Sequence, residues 1–261
     1  MVEAAYHHHD LHYRYINCEV SSKDLETAMQ GAKAMGWVGF NCSMPHKVAI
    51  IEYLDGLGES AQLIGAVNTI VKRGNKWIGE NTDGKGFLQA VQEVTTPTDK
   101  HITLFGAGGA ARAIAVELAL AGAMTITIVN RSRERAEVLV DNINKNTNST
   151  AIYHPWTEGY SIEPNTDIII NATSIGLNPK VDEQLKIDFE SITTAMVVAD
   201  CIPNPPRTHL LKTALSKGCT TVNGLKMLVN QGVIGIKYWT NVDVDPAIMY
   251  DELKRVLNIN E

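Results

Sequence analysis

The chain has 261 residues, 44% of them hydrophobic and 20% charged, which places it among folded globular proteins and excludes collagen, coiled-coil and disordered classes. Its 23 Lys and Arg against 29 Asp and Glu give a net charge of −6, so the basic footprint of a nucleic-acid binder is missing. No apolar run reaches the roughly 18 residues needed to span a bilayer, and the start MVEAAYHHHDLHYRY lacks an apolar signal core.

From the start to about Asp83, β-type and helical runs alternate: a strand over Tyr13–Val20, a helix over Lys23–Met35, a strand over Val38–Cys42 and a helical segment from His46 to Ile64. Short strands follow over Ala66–Val71 and Lys76–Glu80, joined by a Gly74-Asn75 turn. From His101 the pattern becomes strand (HITLF), glycine loop (GAGG), helix (AARAIAVELALAG) and strand (AMTITIV), a βαβ unit. Further near-continuous apolar strands at Asp167–Asn171 and Ala195–Asp200 suit a parallel sheet covered on both faces, with a last strand over Thr220–Val222. Asn142–Thr150 reads as a polar loop. Gly224–Trp239 and Pro246–Leu257 read as terminal helices returning to the first domain. The expectation is an α/β protein of two domains: a substrate domain of residues 1–83 plus 224–261, and a doubly wound, Rossmann-type domain of residues 84–223.

Gly106, Gly108 and Ala111 fit GxGxxA between a strand and a helix, the dinucleotide fingerprint. Gly106 permits the tight turn, Gly108 lets a pyrophosphate approach, and the helix from Ala110 offers free N–H groups. A glycine turn serving packing alone would look the same. The next strand ends in Asn130-Arg131-Ser132, with Arg133 and Arg135 close behind, where NAD-specific folds carry an acid for the ribose hydroxyl. Guanidinium groups there pair with a 2′-phosphate and favour NADP. Cys18, Cys42, Cys201 and Cys219 are widely spaced, which suggests reduced thiols and a cytoplasmic protein. The run His7–His9 has no metal-ligand spacing, and no metal is expected.

The segments NCSMPHK, IGAVNT, ENTDGKGF, GAGGAARA, NRSRERA, INATSIG and GLKMLVNQG stand in one order along the chain, and together they resemble the shikimate dehydrogenase family from about Glu3 to Trp239. The resemblance implies an NADP-dependent oxidoreductase that interconverts shikimate and 3-dehydroshikimate on the route to aromatic amino acids, with substrate held between the two domains. It implies Lys47 as acid/base and Asp83 as its partner, with Ser43, Asn68 and Gln231 binding substrate. For the cofactor it implies the loop Gly106, Ala107, Gly108, Gly109 and Ala110, the group Asn130, Arg131, Ser132 and Arg135, the strand end Asn171, Thr173 and Ser174, and the later Gly224 and Met227. Taken singly, Lys47 could be a surface lysine, Asp83 a helix cap and Met227 a core residue. The expected assembly is a monomer or homodimer.

Two departures bear on that reading. Members of the family open with a strand and a Ser-x-Ser loop that binds the substrate carboxylate, whereas this chain starts after both; the expectation is that it records part of a longer protein. Pro203 stands where the family pattern has a tyrosine that reaches the active site. This leaves quinate, or NAD in place of NADP, as an alternative within the family, and a non-catalytic NADP-binding relative as one outside it.

Overall fold

The computed structural model describes residues 1–259, which divide into two compact units: Met1–Thr82 with the chain from Val229 onward, and Asp83–Leu228. The first unit is therefore discontinuous. The chain passes into the second unit between Thr82 and Asp83 and returns to the first between Leu228 and Val229, inside the helix Gly224–Thr240.

The first unit holds a four-stranded sheet of β1 (Gly39–Asn41), β2 (Gly56–Leu57), β3 (Thr69–Arg73) and β4 (Lys76–Glu80), in the order β1-β3-β4-β2. The pairs β1/β3 and β3/β4 are antiparallel and β2/β4 is parallel. Arg73 pairs with Lys76 across the Gly74-Asn75 turn, where only Gly74 takes a positive φ, 61°. The helical run expected over His46–Ile64 is broken into His46–Ala49, a 3₁₀ turn at Ile50–Tyr53 and Glu59–Ile64, with β2 between the pieces. Tyr13–Val20, read as a strand, forms none. No strand among the described residues pairs with it, and β propensity without a ladder partner does not make a strand. The terminal helices do return to this unit: Val2, Ala5 and Tyr6 of the first helix share a buried cluster with Val229, Ile236, Trp239 and Met249.

In the second unit β5 (His101–Phe105), β6 (Thr125–Asn130), β7 (Thr150–Pro155), β9 (Ile168–Asn171), β11 (Val197–Asp200) and β12 (Thr220–Val222) form a sheet ordered β12-β11-β9-β5-β6-β7, and every neighbouring pair is parallel. The short strands β8 (Tyr160–Ser161) and β10 (Ile187–Asp188) pair with each other. Period-two alternation sends Ile102, Leu104, Ile126, Ile128, Ile168 and Ile170 into one core layer with the helices Gly109–Leu120 and Arg133–Asn146. Phe105, Val129, Ile169 and Val198 enter the opposite layer with Leu210, Leu211 and Ala214 of the helix His209–Ser216. This is the doubly wound fold, and it brings the ends of β5, β6, β9 and β11 to one edge. Asn142–Thr150 is less of a loop than expected, because the preceding helix continues to Asn146 and β7 begins at Thr150.

Candidate active site

In the first unit, β1 leads through Ser43 into the short helix that carries Lys47. Ser43 is exposed and Lys47 half-buried. The backbone carbonyl of Lys47 accepts from Val67 N at 2.7 Å, which ties this helix to the IGAVNT segment. The Cys42 thiol is pushed up to about 11 by burial, with the Lys47 ammonium pulling in the opposite direction.

A buried polar chain backs these residues. Tyr15 Oη donates to Asn41 Oδ1 at 2.7 Å, and Asn41 Nδ2 donates to Asn68 O at 3.0 Å and Thr69 Oγ1 at 2.9 Å. Asn68 Oδ1 accepts from Thr82 N at 2.7 Å, while Asn68 Nδ2 donates to Thr82 Oγ1 at 3.0 Å. With Asn68 only 3% exposed, its amide caps the start of the helix Thr82–Gln92, in whose first turn Asp83 lies. That location lets Asn68 position the start of this helix. Asn41 opens the NCSMPHK motif; Tyr15 went unrecognised in the sequence, because its partnership with Asn41 depends on a fold that brings distant segments together. Gln231 is half-buried on the helix Gly224–Thr240, in the first unit.

The second unit begins at Asp83, which is half-buried and, behind burial and Asp200, contributes to raising the Cys201 thiol. Cys201 follows Asp200, which is fully buried. Asp200 Oδ2 accepts from Thr208 Oγ1 at 2.7 Å and Asn171 Nδ2 at 3.1 Å, and its Oδ1 accepts from Ile202 N at 2.9 Å. Burial outweighs these three donors and pushes the Asp200 carboxyl up to about 6. Asn171, 1% exposed, uses its carbonyl to accept from Thr173 N at 3.1 Å and Thr173 Oγ1 at 2.7 Å. Its side chain thus holds the loop that presents exposed Ser174.

The glycine loop follows β5. Gly106 has φ 110°, and a Cβ there would lie 2.9 Å from Ala172 O, so glycine is required on both counts. At Gly108 and Gly109 a Cβ would meet nothing within 4 Å; there is open space over the start of the helix Gly109–Leu120, which has no side-chain cap and no acidic residue in its first turn. Ala107 is buried beneath the loop and Ala110 is half-buried. At the end of β6, Asn130 Nδ2 donates to Ser132 O at 2.8 Å and closes the turn before the helix Arg133–Asn146. Arg133 is engaged elsewhere, pairing with Glu137 at 2.9 Å and lying 5.3 Å over the Tyr153 ring. Arg131 and Arg135 are exposed and, among the described residues, pair with no carboxylate. Open backbone N–H groups beside two guanidiniums fit a pyrophosphate and a 2′-phosphate. Gly224 lies against the loop after β11, where a Cβ would collide with the Ile202 carbonyl. Met227 packs against the core of this unit.

Three family models match the chain: the shikimate dehydrogenase substrate binding domain over residues 1–70, shikimate / quinate 5-dehydrogenase over 89–201, and the shikimate 5′-dehydrogenase C-terminal domain over 224–254. The shikimate dehydrogenase (NADP(+)) of Methanococcus aeolicus is 41% identical over 95% of this chain and 88% of its own length. The chain belongs to the shikimate dehydrogenase family. Curated members of the family at this level of identity are named NADP(+)-dependent, and the chain is an oxidoreductase of that kind. A family structure in complex with NADP+ is 40% identical, with a TM-score of 0.89, and covers 99% of this chain and 90% of its own. The ligand-free 5-ketofructose reductase of Gluconobacter sp. strain CHM43 is 54% identical, with a TM-score of 0.95, over 98% of this chain and 92% of its own. Among the described residues, no helix is long and apolar enough to cross a membrane.

Proposed function

We propose that the chain catalyses NADP-linked interconversion of a ring hydroxyl and a ketone, with shikimate and 3-dehydroshikimate as the pair its motifs indicate. The observation that carries the cofactor half is the open glycine turn flanked by Arg131 and Arg135, neither of which has a carboxylate partner. NADP(H), when bound, supplies or accepts the hydride. Lys47 holds the proton delivered to the carbonyl oxygen as it becomes a hydroxyl, and takes it back in the reverse direction. Asp83 orients Lys47 and accepts from a neighbouring hydroxyl of the substrate, while Ser43 and Gln231 supply further hydrogen bonds suited to a polyol.

A second reading of the substrate, reduction of 5-ketofructose, is favoured by the 54% identity to the Gluconobacter reductase. Pro203 in place of the family's tyrosine exchanges a hydroxyl and an aromatic wall for a small apolar ring, which leaves room for a substrate other than shikimate. Both readings use the same hydride and proton transfers. Initial rates followed by nicotinamide absorbance separate them: NADP with shikimate or quinate, NADPH with 5-ketofructose, and each again with NAD(H). Turnover confined to shikimate, or to 5-ketofructose, decides the substrate, and no turnover with NADP(H) bound would sink both readings. Lys47→Ala should lower kcat about 10²- to 10⁴-fold with NADP binding unchanged; full activity in that variant would remove Lys47 as the acid/base.

A further inference from the structure

Beside the strand ends of the second unit lies a groove of about 580 Å³, within the range of small-molecule sites, lined by Arg131, Trp156, Ser174, Ile175, Lys180 and Lys186 among others. Arg131 and Ser174 are cofactor candidates from the sequence; Trp156 is not, and no family motif contains it. Its position is fixed from three sides. Trp156 N donates to Asn130 O at 3.2 Å, which anchors the residue to the strand end preceding Arg131. The ring lies 5.1 Å from that of Phe105, the residue immediately before Gly106, at 50°. Its Nε1 donates to Lys186 O at 3.2 Å, which satisfies the polar edge of the indole.

The two lysines of the groove are already paired, Lys180 with Glu183 at 3.2 Å and Lys186 with Glu158 at 3.4 Å, whereas Arg131 has no carboxylate partner among the described residues. The groove therefore offers one available guanidinium, a hydroxyl and a fixed aromatic ring, a set that suits a nucleoside phosphate. We propose that Trp156 is the platform on which the adenine of the cofactor stacks, with Arg131 taking the 2′-phosphate of the same adenosine. The proposal rests on the NADP reading given above and assigns to this chain a cofactor-binding residue that its motifs do not contain.

Titration with 2′,5′-ADP and with 5′-AMP, read by calorimetry and by tryptophan fluorescence, tests it without turnover. Base stacking on an aromatic side chain, judged from alanine substitution, predicts that Trp156→Ala weakens both nucleotides about 5- to 150-fold. Arg131→Ala should weaken 2′,5′-ADP and spare 5′-AMP. Trp156→Phe keeps an aromatic face and should bind within about fivefold of the parent while losing the fluorescence quench that 2′,5′-ADP produces. Equal affinity in the parent and Trp156→Ala, or a quench that survives Trp156→Phe, would overturn the platform and leave the NADP reading intact. A parent protein that binds neither NADP nor 2′,5′-ADP would overturn the NADP reading and the platform with it.

Discussion

The two sheets of this molecule are held by different means. In the second unit the inner strands of a six-stranded parallel sheet lie between two aliphatic layers, one on each face, and stability is carried by those layers. In the first unit the strands have two to five residues, and much of the definition comes from directed polar contacts between distant segments: Asn68 to Thr82, Asp55 Oδ2 to Trp77 N at 2.7 Å, and Trp239 Nε1 to Ile70 O at 3.0 Å. Burial spread over many side chains loses stability by the cavity that one truncation leaves, whereas a contact formed once is lost with its single partner. A sheet of the second kind can place a few side chains closely but has little in reserve.

The comparison can be broken most directly at Ile170, fully buried in the central strand β9. Ile170→Ala should cost about 2–5 kcal/mol, since the lost contacts leave a cavity that the rigid sheet cannot close. Chemical denaturation measures this, and a loss below 1 kcal/mol would show that the layers repack freely. Asn68→Ala should cost about 1–3 kcal/mol by leaving Thr82 N without its acceptor. Because Asn68 caps the helix that starts at Thr82, kcat should also fall, and recovery with Asn68→Asp would identify capping as the cause.

The effect at Asp200 depends on pH. An unfolded aspartate titrates near 3.9, whereas burial pushes the folded carboxyl to about 6. Between these values the folded state keeps a proton that the unfolded state has released. The contribution of Asp200 to stability is therefore full below about pH 4 and is lost as pH rises through about 6. Asp200→Asn does not titrate, so its melting temperature relative to the parent should climb across that window; a difference independent of pH would contradict the assignment. Arg133→Ala lies at the bottom of the scale: its exposed pair with Glu137 should be worth under about 0.5 kcal/mol, and thermal melts of the two proteins should coincide closely.

The same contrast governs how much could be read from the sequence. The strands β5, β6, β9 and β11 were legible because each is a largely apolar run between turn or helix signals, and the helices between them carry apolar faces. At the sheet edge β7 was hidden: its residues alternate between buried and exposed, and the asparagines before it disguise the end of a helix as a loop. In the first unit the residues Tyr13–Val20 have strand composition and no partner, which composition alone does not reveal. Lys47, Asp83, Arg131 and the glycine turn stood out through ordered motifs. Tyr15 and Trp156 did not, because each acquires its place only through contacts with residues more than twenty positions away.

The discontinuity of the first unit also sets a schedule for synthesis. The ribosome delivers Asp83–Leu228 as one uninterrupted stretch, so that unit can close its parallel sheet while the chain is still growing. Residues made before that stretch have to wait: Val2, Ala5 and Tyr6 have their apolar partners at Val229, Ile236, Trp239 and Met249, all made after the second unit is complete. Until then those side chains face water or a chaperone. This long wait predicts that the first unit is the slower to fold and the more prone to aggregate.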